Sequence, residues 1–188
     1  MKKILLIVSA LLILHQNAQA KVPGFNAAQL KRAQTYALKN INEYRQKNGK
    51  SPVTLNKTLS EIALIHSKDM ALNLKKMSHD GSLGEAAHER IKQGKVPDLK
   101  TNILTQVSFP ENIARSGENV GMRNIKNFKG SLEKAILSQH QYFMNEPNEG
   151  VTHRTTMLSK DIPFSEVGIG LWLDEKGNLW ITEDYISH

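Results

Sequence analysis

The sequence predicts an α+β fold in which helices cover a small antiparallel sheet. Three segments carry apolar residues at helical steps of three and four. The C-terminal segment instead alternates apolar and other residues, with turn residues around Gly177-Asn178. Alternation on both sides of a turn is typical of a β-hairpin. Because helical and strand segments are separated along the chain, we expect layers of helix on sheet.

The first two helices follow one another with a short linker between them. We predict a helix from Asn26 to Asn48 that Gly49 ends. After the linker, Thr58 is the predicted N-cap of the second helix, with Glu61 completing a capping box. This helix is predicted to stop at the turn residues 78–81.

Between the second and third long helices, the sequence predicts shorter elements separated by irregular segments. A short helix is expected from Glu85 to Gln93, with Gly94 as its end. Residues 95–110, which include Pro97 and Pro110, are expected to be irregular, and a short strand is expected around Ile113-Ala114. The third clear helix is predicted over residues 131–144, and the hairpin follows with strands over 167–173 and 179–186.

The N-terminal residues are typical of a secretory signal peptide. Two lysines precede the apolar stretch from Ile4 to Leu14, and Ala18-Gln19-Ala20 provides a cleavage site. The apolar stretch is much shorter than the ~20 residues that a spanning helix needs. We therefore expect residues 1–20 to be removed and residues 21–188 to form a single secreted or periplasmic domain with no integral membrane segment.

The charge pattern argues against a nucleic-acid-binding protein, and the cysteine content excludes a disulfide-stabilised one. The formal net charge is +7, but the basic side chains are scattered among acidic ones, which argues against nucleic-acid binding. The chain contains no cysteine, so its stability has to come from packing without disulfides.

Three separate segments place an ionisable side chain beside turn-forming residues. They are Ser78-His79-Asp80-Gly81, Gly117-Glu118-Asn119-Val120-Gly121, and His153-Arg154 with the residues that follow. No local spacing could make His79 and His153 neighbours, so a shared role requires a cleft formed by folding. His66 and His140 lie on apolar helical stripes and are interpreted as hydrogen-bonded core residues.

The residue types leave two chemistries open. If two histidines and two glutamates converge, each carboxylate can orient an imidazole and raise its pKa for acid–base work. The same set could hold zinc through two histidines and one glutamate, with the other glutamate as base. The sequence His-Glu-x-x-His of zinc proteases is absent, as is the Gly-x-Ser-x-Gly turn of serine hydrolases.

Taken together, these segments resemble the CAP superfamily of cysteine-rich secretory, antigen 5 and pathogenesis-related 1 proteins, in its bacterial cysteine-free form. The resemblance also includes residues 41–45, 59–70 and 167–170. It implies an α-β-α sandwich whose central cleft is lined by His79, Glu118, His153 and a fourth acidic residue. Glu146 is the first choice for that residue, and Glu149 is the reserve. Glu111 also precedes an asparagine, but only Glu118 follows a glycine.

The resemblance implies a secreted binding or interaction module for a divalent cation, lipid or small ligand. A divalent cation such as zinc would use His79 and His153. The alternative is a zinc-dependent, peptidase-like hydrolase of the same cleft, with Glu118 or Glu146 as base. Whether the chain is an enzyme, and which proteins it meets, is not determined at this level.

Overall fold

A computed structural model describes residues 26–160 and 162–188, so the predicted leader lies outside the described residues. The predicted α+β fold is confirmed. No helix among the described residues has the length and apolar character needed to cross a membrane. The elements in chain order are α1 Ala27–Lys47, β1 Thr54–Leu55, α2 Lys57–Asp69, α3 Ala87–Gln93, β2 Lys95–Asp98, β3 Ile103–Gln106, β4 Arg115–Asn124, α4 Leu132–Met144, α5 His153–Met157, β5 Glu166–Leu173 and β6 Asn178–Ser187.

The main sheet has the strand order β1-β5-β6-β4. Strands β5 and β6 form the predicted hairpin, and β4 pairs with β6 along its whole length in antiparallel register. Only the two-residue strand β1 is parallel to its neighbour β5. Strand β4 is therefore an edge strand, and one side of its backbone is not covered by another strand of this sheet.

Helices cover both faces of the sheet, as expected for an α-β-α sandwich. On one face, α1 and α4 enclose the largest apolar cluster, which includes Ile41, Phe143 and Ile181. On the other face, α2 packs directly on β5. A Cβ atom at Gly170 would lie 2.1 Å from the backbone of Ala63, so this helix can approach only because the strand carries glycine there.

The predicted start of α2 is wrong by two residues. The side chain of Asn56 accepts a hydrogen bond from the amide of Leu59, so Asn56 is the N-cap and Thr58 lies inside the first turn. The helix also ends earlier than predicted, because α2 stops at Asp69 and is continued only by a π-helical turn over Met70–Leu74. Lys75, with φ of 54°, terminates that turn.

The prediction of an irregular segment over residues 95–110 is wrong for residues 95–106 and holds for 107–110. Strands β2 and β3 form a separate two-stranded antiparallel sheet, in which Pro97 lies opposite Leu104. The strand expected around Ile113-Ala114 begins instead at Arg115 and runs for ten residues. It has no apolar alternation because both faces are covered and polar side chains such as Asn119 are buried in it.

Candidate functional site

All four predicted cleft residues line one cleft of about 660 Å³ beside the edge strand β4. His79 lies in the turn after the π-helical segment, and Glu118 lies in β4. Glu146 follows α4, and His153 is the first residue of the short helix α5, which sequence analysis did not predict. The fold therefore brings together side chains from four separate parts of the chain.

His79 and Glu118 form one hydrogen-bonded pair of the cleft. The Nδ1 atom of His79 lies 2.9 Å from Oε1 of Glu118, and because a carboxylate only accepts, Nδ1 is the donor. Arg90 donates to the other oxygen, Oε2, at 2.6 Å, and to the carbonyl oxygen of His79 at 2.7 Å. The side chains of Arg90 and Glu118 are 0% and 2% exposed, whereas that of His79 is 55% exposed. Arg90 thus holds both the carboxylate and the backbone that carries the histidine.

The electrostatics of this pair follow from burial and charge. Burial alone would raise the pKa of Glu118, but the hydrogen bond from His79 and the charge of Arg90 hold it below its ordinary value. The hydrogen bond to Glu118 in turn raises the pKa of His79. His66 lies 4.0 Å from Glu118, and burial lowers the pKa of His66, so this nearby imidazole is neutral at pH 7.

His153 and Glu146 form the second pair. Glu146 Oε1 lies 2.7 Å from Nδ1 of His153, and Oε2 accepts from the backbone amide of the same residue at 2.8 Å. The ring of Phe143 stacks on the imidazole at a centroid distance of 4.4 Å. Asn119 donates to the carbonyl oxygen of His153 at 3.2 Å. Glu146 is the glutamate that contacts His153, whereas the reserve candidate, Glu149, is exposed.

The two imidazole rings stand almost parallel across the cleft. Their centroids are 6.1 Å apart with an interplanar angle of 27°. Each ring uses Nδ1 for its carboxylate, so Nε2 is the nitrogen left for a ligand. Nε2 of His153 is buried and has no hydrogen-bond partner among the described residues. Within the same residues no group of three or more His, Cys, Asp or Glu side chains is arranged to hold a metal ion.

The other two candidate histidines are core residues, as predicted. His66 is fully buried, and its Nε2 lies 2.9 Å from the carbonyl oxygen of Ser78, so it supports the turn that carries His79. His140 is fully buried between Glu183 at 2.6 Å and Asn40 at 3.0 Å.

Arg90 and Asp184 are two buried ionisable residues beside Glu118 that the sequence did not predict. Arg90 lies in a charged segment of a short helix, where nothing distinguishes it from a solvated residue. Asp184 lies directly opposite Glu118 in the β4–β6 register and is fully buried. Burial, and then the charge of Glu118, raises the pKa of Asp184 well above its ordinary value. An acidic residue between Thr182 and Ile186 on one face of a predicted strand is the signal that could have indicated it.

Solved structures of known proteins share this architecture. The chain is similar to an outer surface protein from Borrelia burgdorferi, with 12% identity and a TM-score of 0.61 over 88% of this chain and 97% of that one. It is also similar to an extracellular protein containing an SCP domain from Bacillus anthracis, with 17% identity, a TM-score of 0.55 and coverage of 87% of this chain. The match spans only 44% of the Bacillus chain. Identities this low show the fold alone.

No curated protein matches the chain. The family model described as "Cysteine-rich secretory protein family", CAP, matches residues 38–185. This range includes the whole cleft, from His79 to His153, and most of the sheet. The chain therefore belongs to the CAP family of cysteine-rich secretory proteins.

Proposed function

We propose that this CAP domain is an exported binding module whose cleft holds a divalent cation through Nε2 of His79 and of His153. The observation that carries the proposal is the pairing of both rings through Nδ1 with carboxylates, at 2.9 Å and 2.7 Å. Metal-binding histidines characteristically donate their other ring nitrogen in this way, which fixes the tautomer and the ring orientation. Nε2 of His153 has no hydrogen-bond partner among the described residues, so no group there competes with a cation for it.

The two-histidine ligand set of the cleft suits a weakly held, exchangeable cation. Two protein ligands leave two positions of a tetrahedral zinc ion for water or another molecule. A bound cation would supply Lewis acidity and a coordination site for the polar end of a small ligand. Ala87, Pro147 and Val151 provide the apolar part of the cleft wall, which supports a ligand with both polar and apolar groups.

The geometry supports binding more than hydrolysis. A three-ligand zinc centre would need Glu118, but both of its oxygens are engaged, by His79 and by Arg90. Glu146 is likewise engaged through both oxygens by His153. Each carboxylate oxygen thus already accepts one hydrogen bond, and neither carboxylate presents an unengaged oxygen to water.

Export is supported by the leader-like sequence of residues 1–20. The similar solved structures are those of an extracellular protein and an outer surface protein, which agrees with a location outside the cytoplasm.

Zinc titration by calorimetry tests the cation site. The wild type should bind one zinc ion, the double variant His79→Ala, His153→Ala should bind none, and His88→Ala, which changes an exposed histidine, should behave as the wild type. The pKa of His79 is raised above its ordinary value of about 6.5, and zinc requires the neutral imidazole. Zinc affinity should therefore still increase as the pH rises past about 6.5 and should level off only above the raised pKa. Equal heats from the wild type and the double variant would refute the site.

The same variants distinguish a binding module from a hydrolase. Wild-type protein with zinc is expected to leave a diverse peptide mixture intact, as judged by mass spectrometry. Cleavage by the wild type that the double variant loses would establish the hydrolase instead.

A further inference from the structure

A second, smaller pocket of about 110 Å³ adjoins the cleft at Gly117. Gly117, Val151 and Thr156 line both spaces, so the two are adjacent and share a wall. Strand β4 supplies part of the lining of the smaller pocket, and the rest comes from residues 150–151, from α5 and from the segment between α5 and β5.

The absence of a side chain at Gly117 keeps this wall thin. A Cβ atom there would lie 3.0 Å from Cζ of Phe164 and 3.1 Å from Cγ2 of Thr156, tight enough that these side chains would have to shift by a few tenths of an ångström. The φ angle of Gly117 lies outside the left-handed region, so its backbone conformation does not require glycine. Space is therefore the property that this glycine provides, at the junction of the two pockets.

The chemistry of the smaller pocket is uncharged. Its described lining consists of hydroxyl-bearing, aliphatic and aromatic residues and glycines, with no charged side chain among them. The hydroxyl of Thr155 is occupied, because it donates to the carbonyl oxygen of Gly150 at 2.9 Å. The methyl group of Thr156 and the ring of Phe164 are the atoms nearest to the junction.

The volume of the smaller pocket limits the size of the ligand group that it can hold. With about 30 Å³ for each water-sized group, a space of about 110 Å³ holds three or four non-hydrogen atoms. A charged group would lose its hydration without a partner there, whereas a hydrocarbon chain would gain from leaving water.

We propose that this pocket is a subsite for the short, uncharged aliphatic end of a ligand whose polar end is held at the cleft histidines. Its specificity-determining residues are Gly117, Thr156 and Phe164. The position of the polar end rests on the proposed function, whereas the pocket itself does not depend on a bound cation.

The subsite is tested first without metal. We would titrate the protein with straight-chain alcohols from methanol to hexanol and follow the backbone amide signals of Ser159 and Phe164 by NMR. Saturable shifts should appear, and the affinity should increase about fourfold per methylene until butanol and then level off. Gly117→Ala should weaken butanol binding, while Thr156→Ala, which enlarges the pocket, should move the plateau to a longer chain. Failure of every alcohol to give saturable shifts at these amides would overturn the subsite.

A second titration tests the link between the two ends. Zinc-loaded protein is titrated with acetohydroxamate, butyrohydroxamate and hexanohydroxamate, whose heads chelate zinc. Affinity should rise from the first to the second in the wild type, and this increase should be lost in Gly117→Ala while acetohydroxamate binding is retained. Equal affinities for all three probes would overturn the linked subsite but leave the cation site standing. Failure of zinc itself to bind would refute the proposed cation site, and the alcohol titration would then decide the pocket alone.

Discussion

Replacing Arg90 by methionine should strongly destabilise the fold, because it leaves the Glu118 carboxylate buried without its guanidinium partner. Arg90 is fully buried and donates hydrogen bonds to Glu118 at 2.6 Å and to the carbonyl oxygens of His79 and Glu85 at 2.7 Å and 3.0 Å. Removing one partner of a buried ion pair costs about 3–5 kcal/mol. Since the total stability of a domain is about 5–15 kcal/mol, this loss is a large fraction of it.

The assay is urea unfolding followed by the fluorescence of Trp172 and Trp180, the two tryptophans of the chain. Lys92→Met, on the same helix but at a partly exposed lysine, serves as the control and should stay within about 0.5 kcal/mol of the wild type. The double variant Arg90→Met, Glu118→Gln removes the unpaired charge and should recover at least ~1 kcal/mol of the loss.

The pH dependence provides an independent check. The pKa of Glu118 is lower in the folded protein than in the unfolded chain, where it is about 4.3. The ionised carboxylate therefore stabilises the fold above the unfolded pKa, and this stabilisation is lost as the pH falls through the folded pKa. The difference in the free energy of unfolding between the wild type and Arg90→Met should therefore become smaller at acidic pH. A loss of under about 1 kcal/mol at pH 7, or a double variant no more stable than the single one, would refute the reasoning.

Two further predictions concern the helix start and the buried acid. Asn56→Ala should lower the free energy of unfolding, measured in urea, by about 0.5–2 kcal/mol because it removes the N-cap of α2. Thr58→Ala should change it by no more than about 0.5 kcal/mol. A larger loss for Thr58→Ala than for Asn56→Ala would show that Thr58 is the N-cap. Because the folded pKa of Asp184 is raised, the wild type loses stability as the pH rises from about 4 toward that pKa, and Asp184→Asn should remove this loss. The urea midpoint of Asp184→Asn relative to the wild type should therefore increase between pH 4 and pH 7, and a constant difference would contradict the assignment.

Periodicity predicted the elements whose apolar residues recur at a regular helical or strand spacing. Helices α1 and α4 and the β5–β6 hairpin lie where the spacing of their apolar residues indicates. Strand β4 was predicted poorly because its buried positions include the polar side chains of Glu118 and Asn119. Buried polar side chains are stable at these positions because the fold provides partners for them, such as Arg90 for Glu118. The spacing of apolar residues along the chain cannot predict such partners.

The sequence by itself determined which residues could form a site: His79, Glu118 and His153, each beside small or turn-forming residues, with Glu146 as the first choice for the fourth and Glu149 as the reserve. Only the tertiary structure decided that Glu118 bonds His79 across 39 residues of chain and that Glu146, not Glu149, contacts His153.

The tertiary structure alone also introduced Arg90 and the pocket behind Gly117. The physical reason is the same for both. Local spacing dictates which side chains share a helix or strand face, whereas distances between separate elements, and the burial that sets the pKa of each group, depend on how those elements pack.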